Sequence, residues 1–208
     1  MPELVPPHGS NEVLPLLVSG DEQKQEIKRA ETLKRVPLSS REVSDLFMFG
    51  MGAYTPLNGF MNEAEWRGVC DEMRMPDGVF WPIPITLSAS KNLASSIEVG
   101  ESIALCDESS QDILAMMNVC EKYENDMLHE CAAGYKTTDY AHPGVKKVMD
   151  QGEVNLSGPL KILSEGEYPE KYSNLYLRPQ ESRALFTQKK WSKVAAFQTR
   201  NPMHRSHE

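Results

Sequence analysis

The first constraints come from what this sequence of 208 residues lacks. No apolar stretch approaches the roughly 20 residues that a membrane-spanning helix needs, so no membrane partner is expected. Basic charge is short: 22 Lys and Arg face 30 Asp and Glu, for a formal net charge of -8. The basic residues are interleaved with acids, so the summed field repels polyanions and no nucleic-acid partner is expected. Cysteine is scarce. Cys70, Cys106, Cys120 and Cys131 include no pair at the two-residue spacing of a zinc knuckle. The opening "MPELVPPHGS" has neither a basic n-region nor an apolar h-region, which points to the cytoplasm and reduced thiols. No internal repeat or low-complexity tract is present.

What remains is ordinary for a soluble globular chain, 40% hydrophobic and 25% charged, with material for one good core or two modest ones. The eleven Met residues read as fillers of irregular core gaps. Residues 21–35 alternate charge signs over a thin stripe of Ile27, Ala30 and Leu33, which predicts a solvated helix. Ser39 or Ser40 can cap a short helix over Arg41 to Phe47, and Gly50, Gly52, Pro56 and Gly59 then predict an ordered loop. Asn62 caps a helix through Met73, with Trp66 and Val69 on its apolar face.

After Pro76 to Gly78 the texture turns β-rich. "VFWPIPITLSAS", "SIALCD" and "DILAMMNVCEKYE" read as strands, with Pro82 and Pro84 on an edge strand or beside a bulge. Val145 to Met149 make a helical turn, and Val154 to Leu156 and Leu160 to Leu163 read as two short strands around a Gly158-Pro159 turn. Ser164 to Asn174 has linker composition, "RPQESRALFTQKKW" (Arg178 to Trp191) is a helix, and "SKVAAFQT" reads as a fully buried strand of a parallel sheet. The expected fold class is therefore α+β: a mostly β domain over residues 1–168, then the first helix and strand of an α/β unit over 169–208.

The chemistry concentrates in "QTRNPMHRSHE", Gln198 to Glu208. Ligands in open α/β sheets bind outside the carboxyl ends of strands, where loops deliver side chains and the next helix offers free N–H groups. Pro202 ends the strand, and a helix from Met203 would place His204 and His207 on one face at i and i+3. With Arg200 and Arg205 they form a positive, donor-rich pocket suited to a polyphosphate. A metal site fits less well, because no third ligand is near and two arginines disfavour a dication. "GMGAYTPLNGF" reads as a structural loop rather than a phosphate loop, and His142 as a hydrogen-bonded loop residue. Cys106, Cys120 and Cys131 beside His129 fit no zinc pattern and read as buried thiols.

This stretch resembles the Q-T-R-N-P-x-H-R-x-H signature of the ATP sulfurylases, a family of nucleotidyltransferases. "YTPLNGFM" (Tyr54 to Met61), "WPIPITL" (Trp81 to Leu87), "HPGV" (His142 to Val145) and "RPQESR" (Arg178 to Arg183) are similar to family motifs in the expected order. The resemblance implies a PUA-like N-terminal β-barrel followed by a Rossmann-like nucleotidyltransferase domain. It implies direct attack of sulfate on the α-phosphorus of ATP, giving adenosine 5′-phosphosulfate and pyrophosphate in a reversible reaction. Carried over by position, Gln198 and Arg200 would hold sulfate, Gln198 and Asn201 would contact ATP, and Thr199 completes the catalytic loop. His204 and His207 would bind the triphosphate and stabilise its charge. Mg²⁺ would come chelated by ATP, with no protein-bound metal, and a homo-oligomer is implied.

Ser206 stands where the wider superfamily's H-x-G-H has Gly, so tighter packing of backbone against phosphate is expected. The family's remaining nucleotide-binding motifs would lie beyond Glu208, which makes the chain by itself an expected inactive fragment. Two other readings stay open at this point: a PUA-like module that binds RNA, and a nucleotidyltransferase with another acceptor. Acidic charge weighs against the first and the Gln198 to Asn201 run against the second.

Overall fold

Helices begin where the sequence supplies caps. The computed structural model describes residues 4–199 together with Pro202, His204 and Arg205. Helix α1 (Gly20–Ala30) leads into strand β1 (Lys34–Leu38), and α2 (Ser40–Met51) follows. Ser39 opens α2 with a capping box: its hydroxyl accepts the Glu42 N–H, and the Glu42 carboxylate accepts the Ser39 N–H at 2.9 Å. After the two-residue β2 (Gly59–Phe60), Asn62 and Glu65 repeat the device at the head of α3 (Glu63–Glu72). Then come β3 (Leu87–Ala89), α4 (Lys91–Ser95), β4 (Ser102–Asp107), β5 (Ile113–Asn118), β6 (Glu121–Glu124) and α5 (Met127–Tyr135). The described elements close with α6 (Pro143–Met149), β7 (Val154–Ile162), α7 (Tyr168–Lys171) and α8 (Pro179–Gln188). His142 caps α6, its Nδ1 accepting the Gly144 and Val145 N–H groups, as a hydrogen-bonded loop residue would.

The seven strands form one mixed sheet in the order β1-β4-β5-β7-β2, with β3 and β6 also on β7. Only the β1–β4 pair is parallel. Strand β7 runs unbroken through nine residues, where the sequence suggested two short strands about a turn. The reason is a close crossing of backbones. A Cβ on Gly158 would stand 1.9 Å from the Asn118 carbonyl oxygen, and one on Gly59 1.9 Å from the Gly158 oxygen. Gly158, at φ 155°, lets β7 bend between neighbours without ending. The α+β class is thereby confirmed.

One large core lies against this sheet, with Leu46, Phe49, Phe60, Leu105, Leu156 and Ile162 at its centre. Phe49 meets Tyr54 and Phe60 edge-on at 5.2 and 5.4 Å between ring centroids, a favoured aromatic geometry. Two smaller clusters stand apart, one of Ala30, Ala104, Cys106, Met116 and Leu163, the other of Cys131, Val145 and Val148 joining α5 to α6.

Five further expectations are corrected. Residues 81–84 lie outside any strand, because Pro82 and Pro84 each remove a ladder donor; strand pairing starts only at Leu87. Helix α2 continues through Gly50 and stops at Gly52, whose left-handed conformation forms the C-cap. Helix α8 ends at Gln188 rather than Trp191, since Lys190 turns to φ 55° and Trp191 folds back to stack on Phe186 at 5.9 Å. Most consequential, Ser192 to Thr199 form no strand, and Val194 and Phe197 are 49% and 63% exposed. A parallel strand needs hydrogen-bonded neighbours, and no described strand lies beyond Ile162 to supply one. Cys120 is exposed rather than buried, while Cys106 and Cys131 are buried as expected.

Substituting Gly158→Ala should destabilise the chain by about 1–3 kcal/mol, as overpacking does. The check is the urea midpoint, expected to fall with an unchanged denaturant slope; an unmoved midpoint would refute the close-crossing account.

Candidate functional site

Of the six residues read as the site, Gln198, Thr199 and His204 belong to the described residues, whereas Arg200, Asn201 and His207 lie outside them. Gln198 and His204 are exposed and Thr199 is half-buried, along a segment that leaves α8 and Trp191 behind. The paired-histidine helix turn also rests on residues outside the described ones.

What anchors the approach to this segment is the start of α8, and it is polar. Arg178 grips the buried Glu165 carboxylate with both arms of its guanidinium, Nε to Oε1 at 3.0 Å and Nη2 to Oε2 at 2.5 Å. This planar fork geometry suits Arg and not Lys. The hydrogen bond that Arg178 donates to Glu165, opposed by some burial, holds the Arg178 pKa above its usual value. Glu181 closes the cap by accepting the Arg178 N–H at 2.7 Å. Gln180 donates to the Val13 carbonyl at 3.4 Å and Arg183 to the Val5 carbonyl at 2.6 Å. The "RPQESR" run therefore docks the helix on the N-terminal segment and on Glu165. Sequence reading found the helix but missed the dock, because a bidentate ion pair across 13 positions leaves no periodicity to detect. Local sequence does not single out Glu165, which shares its Gly- and Pro-containing linker with Glu167 and Glu170.

The other motifs carry structure. Tyr54 donates its hydroxyl hydrogen to Asp45 Oδ1 at 2.7 Å, and Thr55 donates to the Gly52 carbonyl while accepting the Leu14 N–H. From the "WPIPITL" run, Ile85 and Leu87 enter the core and the Thr86 carbonyl accepts a hydrogen bond from Arg41 at 3.1 Å. Arg41 also lies 3.6 Å from Glu42 Oε1 and from Asp45 Oδ2. Trp66 donates its indole N–H to the buried Glu130 Oε2 at 2.8 Å. Burial pushes the Asp45 carboxyl up, against the Tyr54 hydrogen bond and the Arg41 charge. It pushes Glu130 up against the Trp66 hydrogen bond. Among the described residues no group of three His, Cys, Asp or Glu stands close enough to hold a metal ion, and no helix is long and apolar enough to cross a membrane.

A family model described as PUA-like domain matches residues 5–165. The chain belongs to that family. A second model, ATP-sulfurylase, matches residues 173–208. Among curated relatives, the sulfate adenylyltransferase of Syntrophobacter fumaroxidans is 57% identical over 210 residues, covering 100% of this chain and 51% of that protein. The sulfate adenylyltransferase of Chlorobaculum tepidum is 54% identical over 206 residues, covering 99% of this chain and 51% of its own length. The chain thus spans about half the length of the curated relatives it matches. Among solved structures, the hexameric APS kinase from Thiobacillus denitrificans superposes with a TM-score of 0.73 at 26% identity, over 98% of this chain and 36% of that one. The resemblance to ATP sulfurylases read from five motifs is borne out along the whole chain.

Two predictions follow from these contacts. Replacing Arg178 by Ala should leave Glu165 buried without its charge partner and free α8, raising amide exchange in α8 by tenfold or more while core strands exchange as before. Equal protection in both proteins would show that the pair does not hold the helix. The second concerns pH. Because the folded-state pKa values of Asp45 and Glu130 are raised, the native chain keeps protons that the unfolded chain releases above about pH 4. Bound protons are then more numerous in the native state, so these groups withdraw stability as pH rises from about 4 toward neutrality. Glu130→Gln should lose less stability than the parent between pH 5 and pH 7, measured by urea unfolding; identical losses would contradict the assignment.

Proposed function

We propose that this chain forms part of a sulfate adenylyltransferase, which transfers the adenylyl group of ATP to sulfate. The observation that carries the reading is identity above half, along the full chain, to proteins of that name, with the Gln198 to His207 run inside the matched stretch. In this reading residues 1–168 are a PUA-like β-barrel domain and 169–208 open a Rossmann-like catalytic domain, in a cytoplasmic homo-oligomer.

The reaction is a direct displacement. A sulfate oxygen attacks the α-phosphorus, the bond from that phosphorus to the bridging oxygen breaks, and the electron pair leaves with pyrophosphate. Gln198 and Arg200 hold sulfate, the guanidinium fork matching two oxygens of a tetrahedral anion at any working pH. Gln198 and Asn201 orient ATP, and Thr199 completes the loop. His204 and His207 meet the negative charge that builds on the phosphates in the five-coordinate transition state, a positioning and electrostatic contribution. Mg²⁺ enters as part of the ATP complex, since it favours phosphate oxygens and water over a dedicated protein cage.

The acidic balance disfavours the RNA-binding reading, and the oxyanion-binding run before the first His disfavours another acceptor. In a full-length protein carrying this sequence, Arg200→Ala and His204→Ala should each lower the rate of pyrophosphate release from ATP and sulfate about 10²–10³-fold, the loss typical of one transition-state donor. Circular dichroism should stay unchanged. The 208 residues alone should release none. Near-normal rates in either variant would overturn the assigned roles, and turnover by the isolated chain would overturn the need for the rest of the relatives' length.

A further inference from the structure

A cavity of about 440 Å³ lies where α5 and α6 meet α2 and α3, within the range of about 300–1,000 Å³ that small-molecule sites occupy. Among the described residues its lining ends at Gln151 and does not include Gln198, Thr199 or His204. Two buried carboxylates line it from different elements, Asp45 of α2 and Glu130 of α5. Asp45 gives Oδ1 to Tyr54 while its buried Oδ2 has no hydrogen bond among the described residues, and Glu130 gives Oε2 to Trp66. Arg41 lies 3.6 Å from Asp45 Oδ2, and it is shared with Glu42 and the Thr86 carbonyl. Leaving the Asp45 Oδ2 buried and unbonded is costly unless a donor arrives.

The outer part has the opposite character. Lys136 and Lys147 line the cavity, are exposed, and make no ion pair or hydrogen bond to another described residue. Met73 and Ile83, apolar and 53% and 59% exposed, line it as well. Exposed apolar side chains around a concave site mark binding surfaces.

We propose that this cavity binds a small amphipathic molecule. Such a ligand carries an amine at its inner end for the Asp45 and Glu130 carboxylates, an apolar body, and a carboxylate or phosphate at its outer end for Lys136 and Lys147. This proposal does not rest on the proposed reaction.

Calorimetric titration of the 208-residue chain tests this with two aminated probes, 6-aminohexanoate and AMP, each beside its amine-free analogue, hexanoate and purine riboside 5′-monophosphate. At least one aminated probe should bind at least tenfold more tightly than its analogue, in keeping with hydrogen bonds to charged groups. Which of the two binds tells whether the outer anion is a carboxylate or a phosphate. Glu130→Gln, which keeps an acceptor for Trp66, should weaken that binding about tenfold, and a Lys136→Gln, Lys147→Gln double variant should weaken it to a similar extent. Gly134→Leu supplies an independent control: a Cβ there meets nothing within 4 Å, so the side chain can enter the cavity without a clash and should abolish binding. Failure of both aminated probes, equal affinity for the analogues, or binding that survives Gly134→Leu would overturn the proposal. The last outcome would assign AMP binding to the phosphate-binding loop instead.

Discussion

Strand β7 must accept four neighbours, and the crossing of Gly59, Gly158 and Asn118 is what allows it to. Strands β2, β3, β5 and β6 all ladder onto those nine residues, so the sheet has a hub rather than a simple meander. A single strand has only two edges, and it serves four partners by pairing with different ones along its length: β3 and β6 around Val154 to Ser157, then β2 and β5 around Gly158 to Ile162. The handover falls at Gly158, where any side chain would strike the Asn118 carbonyl. Backbone approach at that point sets the spacing of the whole core, since Leu156 and Leu160 flank it and both are buried.

Buried carboxylates then fasten the helices to that sheet. Glu42 is the clearest case. Its Oε2 completes the α2 capping box at Ser39 while its Oε1 accepts the Ser88 N–H at 3.1 Å, so one side chain ends a helix and ties it to β3. Glu130 does the like between α5 and Trp66 of α3. A carboxylate in such a place is stabilising only while its partners are present, because the charge has already been removed from water. That asymmetry is why these groups act as positional fasteners rather than as general sources of stability.

How much of this was legible in the sequence depended on the range of the interaction. Ser39 to Glu42 and Asn62 to Glu65 are three-residue signals, and both helix starts were found within a residue. Short apolar, β-rich runs between turn residues likewise revealed β4 and β5. The continuity of β7 was not legible, because Gly158-Pro159 is a turn pair by local propensity and only the Asn118 carbonyl, 40 positions away, makes it a crossing. The Glu165–Arg178 pair and the cavity under α5 and α6 escaped for the same reason. At the site itself the run of residue types was legible and its geometry was not: the chemistry of Gln198, Arg200 and the two histidines is written in their identities, whereas their mutual placement comes from tertiary packing.

The strand expected at Val194 to Phe197 shows what that packing involves. Its composition is that of a strand buried on both faces, yet it forms no strand here and its two largest side chains are 49% and 63% exposed. Burying Val194 and Phe197 would contribute about 1.5–3 kcal/mol each, and only neighbouring strands of an α/β sheet can supply that burial. The N-terminal body contributes something different, the Arg178, Gln180 and Arg183 contacts that hold the start of α8. In the proposed enzyme the Gln198 to Asn201 loop is therefore placed from two sides by unlike forces. One is polar and weakened by salt, and fixes where α8 begins. The other is hydrophobic and insensitive to dilute salt, and fixes where the loop begins. A loop that must grip two anions at once gains from this division, because an anchor built only of charges would compete with its own substrates for the same arginines.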